Sequence, residues 1–274
     1  MTAFSIMGLL DPSAEILNGQ IKFENRDILL MSNKEKEQWR GDEASIIFQN
    51  PITALNPIRS IGDQIADVIV RHRSANPSQV KELTYEALRQ VRISDPVKRA
   101  KSYPFQMSGG MCQRVGIAMA LACEPKLLIA DEPTTGLDVT TQAVIMDMIL
   151  DLAKTKNIGV LLITHDLALA AEYCDRLIIM HAGQIVELAS SNRIFLEPRH
   201  PYSAGLLKSV PSLVSTISEM QPIEGTIPDL NRIDLPYCRF AERCARREPD
   251  CDQKSLKLIP QEVPNHHVAC WNPL

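Results

Sequence analysis

Two short apolar runs in the chain end in residues that could act on a phosphate group. The run Leu127–Ala130 is followed by Asp131 and Glu132. A second run, Gly159–Ile163, is followed after one residue by His165. In open parallel sheets, ligands bind beyond the carboxyl ends of the strands. One of two adjacent acids there can hold Mg²⁺ while the other orients a water molecule. Each motif alone also has an ordinary interpretation, because such acids often cap the next helix and such a histidine is often structural.

A third motif favours the chemical interpretation. Ser108, Gly109 and Gly110 open a predicted helix that continues to about Ala122. A hydroxyl and two glycines at a helix start offer free N–H groups and the positive end of the helix dipole to an anion. Such a start is unspecific by itself. It becomes specific because the acid-ended run, a turn ending in Asp138 and the histidine follow in order.

The order of these motifs resembles the ABC ATPase family, and five of them lie within residues 46–166. They are a Q-loop glutamine (Gln49), a signature loop (Ser108, Gly109, Gly110 and Gln113), a Walker B pair (Asp131 and Glu132), a D-loop (Gly136 to Asp138) and a switch histidine (His165). Further segments resemble the oligopeptide/dipeptide importer branch, namely 54–57, 102–107, 200–202 and the cysteine-containing tail.

The resemblance implies a role for each motif. Two such ATPases face each other and hold ATP between the phosphate loop and Walker B pair of one subunit and the signature loop of the other. The acids and the switch residues would serve the chain's own site: Asp131 would hold Mg²⁺, Glu132 would be the general base, Gln49 would touch Mg²⁺ or the attacking water, and His165 would contact the γ-phosphate. The signature residues (Ser108, Gly109, Gly110, with Gln113 in the same loop) would grip the partner's ATP, and Asp138 would bridge the two sites.

The phosphate loop G-x-x-x-x-G-K-[ST] is not found in this sequence, which contains no Gly-Lys pair. The resemblance aligns Thr2 to Leu10 with the helix that follows this loop. We therefore expect the loop and the first strands of the family's fold to precede Met1. Three interpretations stay open: an ATPase subunit, a non-catalytic partner that donates only its signature loop, and a fragment of an ordinary subunit.

The expected fold is α/β, with a RecA-like ABC ATPase core. We expect an ATPase domain at residues 1–196, a helical subdomain within it at about 50–122, and an irregular extension at 197–274. Strands are predicted at 20–23, 44–48, 126–130 and 159–163, helices at 77–91 and 141–154, and a hairpin around Ala182-Gly183. The net charge of −4 gives no reason to expect a nucleic acid partner.

Four cysteines crowd into the tail: Cys238, Cys244, Cys251 and Cys270. In a cytosolic chain this clustering favours a metal or cluster site over disulfides. The spacing alone leaves an iron–sulfur cluster, Zn²⁺ and free thiols open. The family resemblance implies a [4Fe–4S] cluster.

The implied partners are a second ATPase subunit, identical or homologous, the transmembrane permease subunits and, indirectly, a peptide-binding protein. No apolar run approaches the roughly 18–20 residues that span a bilayer, so we expect a peripheral protein on the cytoplasmic face of the membrane. The substrate is not fixed by this chain, since related systems carry dipeptides, longer peptides, glutathione or nickel.

Overall fold

The computed structural model describes residues 1–210 and 221–274, and the chain divides into two compact units, residues 1–163 and 164–274. This division is one of spatial compactness. The sequence-based boundary between 196 and 197 separates family modules and stays a prediction.

The first unit is built on a parallel sheet of strands β3, β4 and β5, in that order. The central strand carries the most buried segment, since Leu128, Ile129 and Ala130 are fully buried. Three of the four strands predicted in this unit form this sheet, and the fourth, predicted at 20–23, appears as the short first strand of a hairpin that precedes them. The strands are β1 (Lys22–Phe23), β2 (Arg26–Asp27), β3 (Ala44–Ile47), β4 (Leu127–Asp131) and β5 (Gly159–Ile163).

Five α-helices lie between β3 and β4, and all of them fall within residues 50–122, the range predicted for the helical subdomain. Capping residues set their starts. For example, Asn76 and Gln79 form a capping box at the start of α5 (Pro77–Gln90), which was predicted at 77–91. The first unit's helices are α1 (Thr2–Met7), α2 (Asn33–Asp42), α3 (Pro51–Ala54), α4 (Ile61–His72), α5 (Pro77–Gln90), α6 (Pro96–Arg99), α7 (Gly109–Leu121) and α8 (Val139–Thr155).

A break near the end of α2 joins three helices. Gly41 has φ +93°, and a Cβ there would lie 2.5 Å from Nε2 of His72, the last residue of α4. Only glycine fits this close approach without strain. The neighbouring Arg40 donates through Nη1 to the carbonyl oxygens of Met7 at 3.0 Å and Gly8 at 3.3 Å, so its guanidinium binds the free carbonyls that end α1.

The second unit contains an antiparallel sheet in the order β6-β7-β9-β8. The predicted hairpin is confirmed, because Ala182 (φ +47°) and Gly183 (φ +79°) form the two-residue turn between β6 and β7. The elements are α9 (Leu167–Tyr173), β6 (Arg176–His181), β7 (Gln184–Ser190), α10 (Ser191–Leu196), α11 (Pro201–Lys208), α12 (Pro249–Gln253), β8 (Ile259–Pro260) and β9 (His267–Val268).

A buried carboxylate on β7 joins three segments of this unit. Glu187 is 0% exposed and accepts hydrogen bonds from the backbone N–H groups of Arg199 at 2.8 Å and His200 at 3.0 Å. Its third partner is the Nε2 atom of His266 at 2.7 Å, which donates because a carboxylate can only accept. The strand, the segment before α11 and the turn before β9 therefore meet at one side chain.

In the described parts of the chain, no helix combines the length and the apolar character that crossing a membrane requires.

Candidate functional site

The loop that follows β4 brings two predicted site residues together. Gln49, two residues beyond β3, donates through Nε2 to Glu132 Oε2 at 2.6 Å. The same oxygen accepts from the Thr135 hydroxyl at 2.9 Å. Glu132 has φ +47°, a conformation that non-glycine residues rarely adopt, and its N–H donates to the Ile163 carbonyl at 2.9 Å. The carboxylate is thus held in place beside Asp131, at the carboxyl edge of the parallel sheet.

The predicted signature loop begins α7. Ser108 caps the helix by accepting from the Met111 N–H at 3.3 Å, and both it and Gly109 are exposed. A Cβ added to Gly109 would meet nothing within 4 Å, so the backbone there is open to an approaching group. At Gly110 such a Cβ would lie 3.8 Å from Thr141 Cγ2, which places the start of α7 near the start of α8.

Gln113 is placed differently from the exposed residues of this loop. Its side chain is 2% exposed, and Nε2 donates to the Pro133 carbonyl at 2.6 Å. The amide therefore ties α7 to the loop that carries Glu132. The contact of Gln113 with nucleotide stays a prediction. The motif match did not indicate its hydrogen bond to Pro133.

Asp138 begins α8 as its N-cap. Its carboxylate accepts from the backbone N–H of Thr141 at 3.0 Å and from the Thr141 hydroxyl at 2.6 Å. These hydrogen bonds lower the pKa of Asp138 below its usual value, because they stabilise the charged form. An exposed, charged aspartate at this turn is suited to contact a partner.

His165 lies in the second unit, in the short loop between β5 and α9. Its neighbour Asp166 caps α9 by accepting from the N–H groups of Ala168 at 2.9 Å and Leu169 at 3.1 Å. This cap fixes the chain one residue beyond the histidine.

Comparison with known proteins decides the family. The model of the ABC transporter family matches residues 2–135, and that of the oligopeptide/dipeptide transporter C-terminal region matches residues 186–251. The dipeptide transport ATP-binding protein DppD of Bacillus subtilis (strain 168) is 45% identical over 99% of this chain and 81% of its own length. The chain belongs to the ATP-binding proteins of the oligopeptide/dipeptide ABC transporter family.

Other members and solved structures agree with this assignment. The oligopeptide transport ATP-binding protein AppD of the same organism is 44% identical over 99% of this chain and 82% of its own length. The dimeric post-hydrolysis structure of the ATP-binding cassette MJ0796 with ADP and phosphate superposes with a TM-score of 0.60 at 26% identity, covering 69% of this chain and 79% of that one. The α/β ABC ATPase fold expected from the sequence is therefore confirmed.

The four tail cysteines of this family member lie near one another in the second unit. Cys238 and Cys251 are buried in one apolar cluster, against which Cys244 and Trp271 pack. The Cys238 N–H donates to the Cys251 carbonyl at 2.9 Å.

Burial, and the charge of the other thiols, raise the pKa of both Cys238 and Cys270 to about 11. The thiols are therefore close enough to affect one another. Even so, within residues 1–210 and 221–274 no three His, Cys, Asp or Glu side chains are arranged to hold a metal ion.

Proposed function

We propose that this chain is the ATP-binding subunit that couples ATP hydrolysis to the import of di- or oligopeptides. The observation that carries the proposal is the hydrogen bond between Gln49 and Glu132. It joins the predicted Q-loop to the predicted catalytic acid in a chain whose relatives are named as peptide transport ATP-binding proteins.

The site residues would divide the work as follows. Glu132, fixed by Gln49 and Thr135, would orient the attacking water and accept its proton, and His165 would stabilise charge on the γ-phosphate. Bound Mg²⁺ supplies charge neutralisation at the phosphates. The Asp131 carboxylate and the amide oxygen of Gln49 are oxygen ligands of the kind that Mg²⁺ prefers, so these residues fit the ion.

The partner subunits follow from the same proposal. Ser108, Gly109 and Gly110, open at the start of α7, would contact the nucleotide bound by a second ATPase subunit. Asp138 would contact the same partner. Transmembrane permease subunits would hold the pair at the cytoplasmic face of the membrane, and a peptide-binding protein would deliver the substrate to them.

The decisive experiment compares Glu132→Gln with the unchanged chain, in complex with its permease and a full-length ATPase partner. Loss of a general base lowers a rate by roughly 10²–10⁴-fold. We expect a loss of that order in the hydrolysis contributed by this chain's site, with peptide uptake falling in parallel. Glu82→Gln is the matched control, because Glu82 lies exposed on α5 and pairs with Arg89 on the same helix.

Two other results would be informative. Unchanged hydrolysis in Glu132→Gln, together with loss of the partner's hydrolysis in Ser108→Arg, would show a subunit that only donates its signature loop. Unchanged hydrolysis and uptake in both variants would contradict the proposal. Measuring ATP binding by this chain alone and then with its partner would show how much of the nucleotide's binding energy each chain supplies.

We further propose that the four tail cysteines hold a [4Fe–4S] cluster. The donor set is suitable, since four thiolates are the usual ligands of such clusters, and three of the cysteines (Cys238, Cys244 and Cys251) belong to one packed cluster. The thiols would have to move closer together on binding. Iron, sulfide and zinc analysis of anaerobically purified protein tests this, with Cys123→Ser as a control in the first unit; absence of iron and sulfide, with or without zinc, would contradict it.

A further inference from the structure

A polar cavity in the second unit has no part in the function proposed above. Its volume is about 240 Å³, and three segments line it: the start of β6, the end of β7 with the first turn of α10, and the turn before β9. The lining residues are Arg176, Ala189, Ser190, Arg193, Pro264, Asn265 and His266. All of them lie within one compact unit, so its shape depends on that unit alone.

The two charged side chains that line this cavity are both positive. Arg176 and Arg193 both line it, and no Asp or Glu is among the lining residues. Arg193 shares one nitrogen with Glu197 in an exposed ion pair. Arg176 forms no ion pair with any residue in the described ranges, although β-strand pairing fixes its backbone opposite Ser190. One guanidinium without a protein counter-ion and one with spare donors therefore face the same space.

The third nitrogen-bearing group is better fixed than either arginine. His266 is 3% exposed, and its Nε2 donates to the buried Glu187 carboxylate. The Glu187 carboxylate is itself held by the backbone N–H groups of Arg199 and His200, so the hydrogen bond to it restricts rotation of the His266 ring. With the Nε2 proton donated to Glu187, the Nδ1 atom of a neutral ring can only accept, for example from the P–OH group of hydrogen phosphate, and the Ser190 hydroxyl makes no capping hydrogen bond to α10. Both can take part in binding.

We propose that this cavity binds a small phosphate-class dianion, inorganic phosphate or a compact phosphomonoester. Planar guanidinium groups bind phosphate oxygens through paired hydrogen bonds, and the two arginines that line the cavity carry the two positive charges that match a dianion. The volume is below the roughly 300–1,000 Å³ of pockets for drug-sized ligands, so the cavity suits a small anion better than a whole nucleotide. The site is separate from the residues that we assign to ATP, and the inference does not depend on that assignment.

The test follows the six histidines of the full chain by NMR, with ¹³C in the imidazole rings, during titration with inorganic phosphate. We expect a saturable shift of the His266 signal. Arg176→Ala and Arg193→Ala should each weaken binding roughly tenfold or more, because each removes charge-assisted hydrogen bonds. Arg176→Lys should weaken it less, since it keeps the charge and loses the planar fork. Arg71→Ala, an exposed arginine of the first unit, should leave binding unchanged.

Further arms define the ligand. Acetate should shift the His266 signal only at much higher concentration, since it carries one charge. Glycerol 3-phosphate should compete with phosphate, and vesicles containing phosphatidic acid would show whether a lipid headgroup can enter. The proposal is overturned if phosphate gives no saturable shift, or if the shift saturates equally in Arg176→Ala and Arg193→Ala variants whose circular dichroism spectra are unchanged.

Discussion

Replacing Glu187 by leucine should destabilise the second unit more than any surface substitution in it. The change removes a fully buried carboxylate that accepts from two backbone N–H groups and from His266. Each buried donor left without a partner costs about 1–3 kcal/mol. Three such groups, one only partly buried, suggest a loss of about 3–5 kcal/mol, the range observed when one partner of a buried pair is removed.

Urea denaturation followed by tryptophan fluorescence can measure this loss, because each unit contains one tryptophan, Trp39 in the first and Trp271 in the second. The transition reported by Trp271 should move to lower urea, and hydrogen exchange should show the faster opening at β7 and β9. Glu197→Gln is the control, since its exposed pair with Arg193 is worth about 0.3–0.5 kcal/mol. A loss below about 1 kcal/mol in Glu187→Leu would refute this accounting of unsatisfied donors.

Three further outcomes follow from the described contacts. Gly41→Ala should cost about 2 kcal/mol or more in the free energy of unfolding, because it adds a positive-φ penalty to a clash with His72; a neutral result would mean that the α2 break relaxes freely. Asn76→Ala removes the cap of α5 and should cost about 1 kcal/mol by thermal or urea unfolding, whereas Asn76→Ser should cost little. Burial lowers the pKa of His200 to about 4, below its unfolded value of about 6.5. Stability should therefore be complete above about pH 6.5 and fall by about 3 kcal/mol as the pH drops towards 4. His200→Asn, which keeps a helix-capping side chain, should remove this pH dependence; an unchanged pH profile would refute it.

Periodicity and punctuation were sufficient to predict the sheet strands and several helices of the first unit, whereas α2 and α4 were not predicted. The strand Gly159–Ile163 has the predicted bounds, and α5 ends one residue before the predicted end. Both are strongly patterned segments with clear starts. The break in α2 was not predictable, because it depends on Gly41 meeting His72, which lies 31 positions further along the chain.

The second unit was harder to predict from the sequence. The tail was expected to be irregular, yet β9 pairs with β7 through only two residues and extends the sheet. A two-residue strand carries no readable period. Its position depends instead on His266 binding a carboxylate on β7, a contact between residues 79 positions apart.

The candidate site shows the same contrast. Motif order identified Gln49 and Glu132 as site residues, and the structure joins them by a hydrogen bond. The role of Thr135 as a second donor to Glu132 was not foreseen, and neither was the bond from Gln113 to Pro133. A sequence motif identifies the side chains that the chemistry requires. The contacts that hold those side chains in place depend on the fold of the backbone, which the motif does not encode.

Arg40 and Gly41, near the end of α2, connect the end of α1 with the end of α4 in the first unit. Arg40 donates hydrogen bonds to the last carbonyl groups of α1, and Gly41 lies close to the side chain of His72, the last residue of α4. The end of α1 and the end of α4 are thereby linked through two adjacent residues of α2. A displacement of the end of α1 would therefore strain the Arg40 hydrogen bonds or move the α2 break relative to His72.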